Sequence, residues 1–536
     1  MNKPKLLPKL NSNNVQLLNK KNMKRVILVI TIFLIIQSVS SQEELKNFEV
    51  VKTEVFKEIV SNSILLQGFE DELSNSGVLR YFKGAIPAGS QNWVKGITIQ
   101  KWDVKGKMFL NKIFILDLPL KHEVGRVFYN RGKYYVFDFF RNKKSKSLDY
   151  FINVFTEKGL QERKKVFSVE LNQLPKKYPK WTSGYDFDYR GYFSFSENKD
   201  YILYTIDADV VNEEQHKFFV FNKNLELLYQ KEFSYEWNDL HFELQNIEIS
   251  NEGVIYFSGK KYNGSRKEKS KNKVNYSYEI FKISETEQKS LDIEISDFFV
   301  RELRLKRNKN RIVAVGFCSK FDAYKKGGIA FFDVDAENLV LNNTSYEPFR
   351  KQFYSDKYGA DMSYKNLSAY QLKDILILND GGCIITAEEE EISSSQYGVS
   401  SVLYNDLMVV NFSKERKMKW SRNINKKIQR ASPVIIDKVG NPVFFVNAYK
   451  ELSKLDESRV ELKSRALGLT KKNSNLFMIK LNVENGNPQI SVFQHNEVSE
   501  TVFKGGDTDR IGDSKLFFLG RDKKTLSNQF MTIKSK

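Results

Sequence analysis

The feature that most restricts what this chain can become is its internal repetition. Nearly continuous apolar runs begin at Ile64, Tyr134, Tyr201, Val254, Ile312, Ile384, Val443 and Leu516, at intervals of 53 to 73 residues. They read, for example, as Tyr134-Tyr135-Val136-Phe137, Val254-Ile255-Tyr256-Phe257 and Leu516-Phe517-Phe518-Leu519-Gly520. Short runs rich in β-branched and aromatic residues mark strands covered on both faces. Recurring units of this size cannot hide their own apolar surface, so they stack on one another.

Each run follows a weaker strand and a turn. Ile247-Glu248-Ile249-Ser250 precedes Asn251-Glu252-Gly253, and Ile375-Leu376-Ile377-Leu378 precedes Asn379-Asp380-Gly381-Gly382. Asn, Asp and Gly tolerate the positive φ of tight hairpins, so these are hairpin signals with a mechanism. A second hairpin follows in each unit, its first arm reading Ile97-Thr98-Ile99, Phe151-Ile152-Asn153-Val154 or Leu476-Phe477-Met478-Ile479. The last such arm, Phe530-Met531-Thr532-Ile533, has no strand after it. Phe48-Glu49-Val50-Val51 is the predicted donor of the missing strand, and pairing the two would remove an exposed sheet edge.

Four-stranded antiparallel units at this spacing resemble the β-propeller superfamily of exported bacterial proteins, over nearly all of residues 42–536. The resemblance implies an all-β ring of eight blades, alternatively seven if one weak unit is misread, closed by the N-terminal strand. A count of 41 Phe and 26 Tyr against 10 Pro and 28 Gly suits pleated, half-buried strands. No Pro, Gly or Ser-rich linker divides the chain, which argues for one domain over two stacked ones. The hairpin from Leu407 to Trp420 is similar to the strand-turn-Trp pattern of quinoprotein-type propeller repeats. Other units carry Tyr229 or Ile293 near that place and mostly lack the family's turn glycine, so no quinone and no other cofactor is implied. The Gly-His and Trp-Asp signatures of WD40 repeats and the double glycine of kelch repeats do not recur.

Residues 1–41 read as a leader. Lys24 and Arg25 precede an apolar run from Val26 to Ile36, and Val39-Ser40-Ser41 offers small residues for a signal peptidase, predicting cleavage before Gln42. Eleven apolar residues would span roughly 16 Å as a helix, about half of a bilayer core, so a membrane anchor is the weaker reading and no transmembrane segment is expected in the mature chain. The expected location is secreted, or periplasmic at the cell envelope. The formal net charge of +19 falls to +12 without the seven Lys and Arg of the leader. Such a surface attracts anionic polymers or lipid head groups. No concentrated basic stripe points to nucleic acid. Cys318 and Cys383 are the only cysteines. One closes a second strand and the other opens the next, which places them near opposite faces, roughly 17 Å apart. A disulfide needs about 6 Å between α-carbons, so two buried free thiols are predicted.

In such a ring the second-to-third-strand loops and the blade-to-blade connections share one face. Long irregular segments are predicted there between Glu70 and Gly96, Lys260 and Ser277, Glu388 and Asp406, and Tyr449 and Asn475, and loops on a rigid scaffold usually carry binding. Two blade-to-blade segments add aromatics to this face: Tyr178, Trp181, Tyr185, Phe187 and Tyr189, then Phe353, Tyr354, Tyr358, Tyr364 and Tyr370. Of these, Tyr178, Trp181, Tyr185, Phe187, Tyr189, Tyr354, Tyr358 and Tyr364 are the candidate ligand contacts. The competing reading makes them plugs between blades. The run Glu388-Glu389-Glu390-Glu391 and the basic stretch Lys260 to Lys273 read as solvated tips.

No catalytic residue is assigned. His122, His216, His241 and His495 are scattered and match no metal or triad pattern. Asp186, Asp188, Asp207 and Asp209 are the best carboxylates for a glycan-active hydrolase or lyase at the central channel. Asp507 to Asp513 partly matches a calcium loop, but Ile511 replaces an oxygen ligand and Phe518 stands where the closing Glu belongs. The expectation is therefore a binding or scaffolding protein that engages a polypeptide or polysaccharide at the envelope, without metal or cofactor.

Overall fold

The structure, a computed structural model, describes residues 47–60, 63–83, 94–119, 122–174, 191–210, 213–235, 241–264, 267, 269–270, 273–295, 298–320, 327–359, 367, 369–394, 400–426, 430–449, 459–462, 473–512, 514–522 and 527–536. The fold is all-β, with eight antiparallel sheets of four main strands each. Blade 1 comprises Ser63–Glu70, Ser76–Lys83, Val94–Trp102 and Met108–Ile115, from hub to rim. Blade 2 comprises His122–Asn130, Lys133–Asn142, Ser147–Thr156 and Gly159–Glu170, and blade 3 Tyr192–Phe195, Tyr201–Val210, Glu213–Asn222 and Leu227–Tyr235. Blade 4 is built from Phe242–Ile249, Ile255–Tyr262, Tyr276–Ile283 and Gln288–Ile293. In blade 5 the inner strand is split into Phe299–Val300 and Arg304–Asn308, ahead of Arg311–Ser319, Gly328–Asp335 and Val340–Pro348. Blade 6 has Tyr370–Ile377, Cys383–Ser394, Ser400–Phe412 and Met418–Asn425. Blade 7 has only Ile435–Ile436 at the hub, then Pro442–Tyr449, Ser474–Leu481 and Pro488–His495.

Blade 8 closes the ring as expected. Val502–Ile511, Lys515–Arg521 and Ser527–Ser535 take their fourth strand from Phe48–Lys52, in the register Phe48↔Ser535 to Lys52↔Met531. Phe56–Lys57 continues that pairing to Asn528 and Ser527. Eight apolar clusters fill eight seams. Successive pairs of blades from 1 and 2 to 7 and 8 each share one, and Phe56, Val78, Trp102, Phe517 and Phe530 fill the seam between blades 8 and 1. At about 1.5–3 kcal/mol for each fully buried large side chain, these seams are where the ring gains its stability. Among the described residues no helix is long and apolar enough to cross a membrane.

Seven of the eight landmark runs are second strands, but the one at Ile64 is not. Ser63–Glu70 is the innermost strand of blade 1, and its second strand is Ser76–Lys83, inside the stretch predicted to be a loop between Glu70 and Gly96. Ile64 and Leu66 are exposed, so this run is apolar without being buried. A helix that the repeat did not foreshadow, α1 (Lys351–Tyr358), connects blades 5 and 6 and ends on Gly359 at φ 72°. Trp420 lies near the start of the fourth strand of blade 6, where its Nε1 donates to the Val483 carbonyl at 2.9 Å and its ring lies over Gly486 of blade 7. Gly486 has φ 72°, and a Cβ there would stand 2.8 Å from the indole, so only glycine fits. Cys318 and Cys383 are buried free thiols in different seams, and burial pushes both up to about 12.

Candidate functional site

The two faces of the ring are built differently. Connections between first and second strands, and between third and fourth, are tight turns sealed by their own side chains. Asp71 Oδ1 accepts from the Leu73 and Asn75 amides, Asp103 Oδ1 from those of Lys105 and Lys107, and Asp437 Oδ1 from those of Val439 and Asn441. Such Asx turns leave little freedom. The opposite face carries a short ribbon pairing Lys269–Ser270 with Lys273–Val274, the helix α1, and a strap from blade 7 in which Val460–Glu461 runs parallel to Ile424–Asn425 of blade 6. It also carries the second and third strands of blade 6, which pair with each other as far as Ser394 and Ser400, past the last partners offered by the inner and outer strands.

These additions converge over blade 6, whose outer strand is almost wholly buried beneath α1 and the strap. The Asp356 carboxylate of α1 is clasped from two sides by Arg422, Nε donating to Oδ2 at 2.6 Å and Nη2 to Oδ1 at 3.1 Å. Gln352 Nε2 and the Asn423 amide donate to the same carboxylate at 2.8 and 3.2 Å, while its backbone carbonyl accepts from Asn425 Nδ2 and from Arg459 Nε of the strap. The next residue, Lys357, places Nζ 3.0 Å from Glu389 Oε2, 3.0 Å from Asp406 Oδ2 and 3.1 Å from the Tyr370 hydroxyl. Tyr370 donates in turn to Asn423 Oδ1 at 2.5 Å, and Asn423 Nδ2 donates to Asp406. Lys426 Nζ lies 2.6 Å from Glu388 Oε1 and donates to the Tyr404 carbonyl.

Electrostatics follow from burial first. Desolvation pushes the Asp356 carboxyl up and Arg422 only partly offsets it, while desolvation pulls the Lys426 ammonium down despite Glu388. Lys357 behaves oppositely: burial disfavours its charge, but Asp406 and Glu389 together outweigh that and hold it above its ordinary value. The Glu389 and Asp406 oxygens share one ammonium, so they lie no more than about 6 Å apart, and glycosidases also work with two neighbouring carboxyl groups. Acid–base work needs one carboxyl protonated and the other free. Here both are engaged by Lys357, and in the cluster as a whole four carboxylates are held by three cations.

Of the candidate ligand contacts, Tyr178, Trp181, Tyr185, Phe187, Tyr189 and Tyr364 lie outside the described residues, as do Asp186 and Asp188. Tyr354 is buried in α1, edge-on to Phe353 at 5.5 Å, in the seam of blades 5 and 6. Tyr358 is half-buried, with Lys357 Nζ 5.7 Å from its ring centroid. Asp207 Oδ1 stands 3.8 Å from His216 Nδ1, and the side chain of Asp209 is outside the described residues. The acidic run is not a solvated tip: it lies in a strand, with Glu388, Glu389 and Glu390 ion-paired to Lys426, Lys357 and Lys373. Lys260 is not at a tip either, being fully buried with its ammonium 3.9 Å from the centre of the Tyr276 ring, between Tyr262 and Tyr278. Its opposition to aromatic faces offsets part of the cost of burial. Asp509, from the calcium-like segment, accepts from the Gly68 and Arg510 amides, and Asp507 lies in an inner-strand bulge. His122 Nδ1 stands 2.5 Å from Asp138 Oδ2, which Arg163 also binds. Among the described residues no cluster of His, Cys, Asp and Glu is placed to hold a metal.

No protein-family model and no curated protein matches the sequence. Among solved structures the chain is similar to the β-propeller domain of the Trilobed protease from Pyrococcus furiosus, at 11% identity over 82% of this chain and 99% of that one, with a TM-score of 0.36. It is also similar to the WD40 domain of SCAP from fission yeast, at 5% identity over 91% and 98%, with a TM-score of 0.39. A third, an acylaminoacyl peptidase from Pyrococcus horikoshii, is 12% identical over 86% of this chain and 57% of that one, with a TM-score of 0.34. At such identities nothing about activity carries over, and the eight-bladed ring stands on the sheet pairing and seams described above.

Proposed function

We propose that this chain is an exported binding or scaffolding module of the cell envelope, engaging a polypeptide or glycan through the elaborated face above blades 4 to 7. The observation that carries this reading is the cap of blade 6. A helix and two overlong strands are locked together by buried ion pairs and a strap from the next blade joins them, while among the described residues the opposite face is built of tight turns, with a cavity of about 450 Å³ between those of blades 6, 7 and 8. Buried ionic networks of this kind are a poor way to gain stability but fix one geometry, which a preorganised binding surface needs. Export is supported by the leader pattern of residues 1–41.

The test is a comparison of full chains on polysaccharide arrays and against envelope extract. Charge reversal on the elaborated face, Lys267→Glu with Lys269→Glu and Arg430→Glu, should abolish capture, whereas Lys438→Glu on the turn face should leave it unchanged. Equal capture by all variants would remove the functional face. A glycan-active enzyme is the rival reading, favoured by the closeness of Glu389 and Asp406. Release of reducing ends from polysaccharide, abolished by Glu389→Gln, would replace the binding reading with that one.

A further inference from the structure

Blade 1 differs from the other seven in what it leaves uncovered. Of the 18 large apolar side chains exposed among the described residues, ten fall between Val50 and Ile115, on blade 1 and the chain that enters it. Its outer strand reads Met-Phe-Leu-Asn-Lys-Ile-Phe-Ile, with Phe109, Ile113 and Ile115 exposed by 52%, 38% and 57%. Other bare outer strands are polar: Gly159–Glu170 carries Glu162, Arg163, Lys164 and Lys165, and Val340–Pro348 carries Asn342 and Asn343. Proteins blunt an open sheet edge with charge, proline or a cover; here the strand carries one charge, Lys112, whose Nζ is drawn to the Glu157 carbonyl of blade 2 at 2.7 Å, and Glu54 takes the Met108 amide at its start, while Ile113 to Ile115 has no charged residue or proline.

A second observation comes from the neighbouring strand. Thr98, Gln100 and Trp102 alternate along one face of Val94–Trp102 and are buried, yet Thr98 Oγ1, Gln100 Oε1 and Trp102 Nε1 have no hydrogen-bond partner. In register Thr98 faces Ile113 and Gln100 faces Asn111, to which it donates through Nε2 at 3.2 Å, so these buried atoms lie directly inside the exposed edge. The seam behind it, between blades 8 and 1, is the thinnest in the ring, with five buried apolar residues against eleven to nineteen elsewhere. The fold itself shows what can fill such a place. On blade 6 an added strand, Val460–Glu461, pairs with the last two residues of the outer strand, Ile424 and Asn425.

We propose that Met108–Ile115 is an acceptor edge to which an extended segment of a partner polypeptide adds as a fifth strand. Backbone hydrogen bonds supply affinity, and apolar side chains at alternate positions meet Ile113 and Ile115. Lys105 and Lys107, exposed where the strand begins, select a partner with acidic residues between the apolar ones. This surface is on the rim and does not depend on the elaborated face. The test uses the full chain and a short fluorescein-labelled peptide of alternating valine and glutamate, read by anisotropy and by amide hydrogen exchange. Binding should saturate, slow exchange across Met108–Ile115, and weaken at least tenfold in Ile113→Lys or Ile115→Lys, with Leu228→Lys on blade 3 unchanged. Absent saturation, equal binding by the lysine variants, or protection confined to other strands would overturn the proposal. So would dimers of the free chain that Ile113→Lys abolishes, which would assign the edge to a second copy.

Discussion

Among single residues the clearest energetic statement concerns Asp149 of blade 2. Burial alone would raise its carboxyl, but Lys165, Ser168, Ser147 and Asn142 all donate to it and bring it down to about 2. A carboxylate depressed in the folded state stabilises the fold above its unfolded value near 3.8 and loses that contribution as pH falls through the folded value. Asp149→Asn should therefore cost about 2 kcal/mol at neutral pH and flatten the decline in stability between about pH 4 and pH 2. Urea unfolding across that range checks it, and parallel acid limbs for the two proteins would refute it. Little of this was legible in sequence, because the donors are brought together by strand pairing. The same holds for the cap of blade 6. Lys357 meets Glu389 and Asp406 across 32 and 49 residues of chain, and a run of four glutamates reads as solvated unless the lysines above it are known.

At the level of strands, the repeat was readable wherever apolar content and burial coincide, as in Ile255–Tyr262 and Arg311–Ser319. It failed at blade 1, where the inner strand is apolar but partly exposed and the true second strand hides behind it. Helix α1 was missed because its sequence, Lys-Gln-Phe-Tyr-Ser-Asp-Lys-Tyr, has no capping side chain at its start, leaving Gly359 at its end as the one signal. The short hub strand of blade 7 also went unread. Its place is taken by a bulge of the inner strand of blade 8 between Phe503 and Thr508, where the Gly505 amide donates to Asn447 Oδ1 at 2.9 Å. A Cβ on Gly505 would stand 2.4 Å from the Phe445 carbonyl oxygen, so the bulge seats only because that residue has no side chain. Gly505→Ala should destabilise the protein by about 1–3 kcal/mol, seen as a lower urea midpoint at unchanged slope. An unaltered midpoint would show that blade 7 does not rely on the bulge.

The ring as a whole is tied at its hub from one inner strand or turn to the next. The Tyr129 amide donates to Gln67, Asn130 to the Lys199 carbonyl, the Asn198 amide to Asn251, the Leu305 amide to Asn246, Arg304 to the Lys373 carbonyl, and the Gly68 amide to Asp509. Arg510 of blade 8 reaches the Val434 carbonyl and, beyond the short strand of blade 7, Asp374 of blade 6. Rim closure rests on the N-terminal strand. Deleting residues 47–57 should bare the edge of Ser527–Ser535, broaden thermal unfolding and produce aggregates on size-exclusion chromatography, and a deleted chain that stays monomeric and unfolds sharply would show the hub ties to be sufficient. The Thr53 hydroxyl accepts from the Phe530 amide across 477 residues of chain. A ribosome must therefore add 477 residues after Thr53 before this segment finds its mate. If the chain is threaded unfolded through a translocon, Phe48–Lys52 emerges and waits, and only when Ser527–Ser535 has come through can the circle be shut.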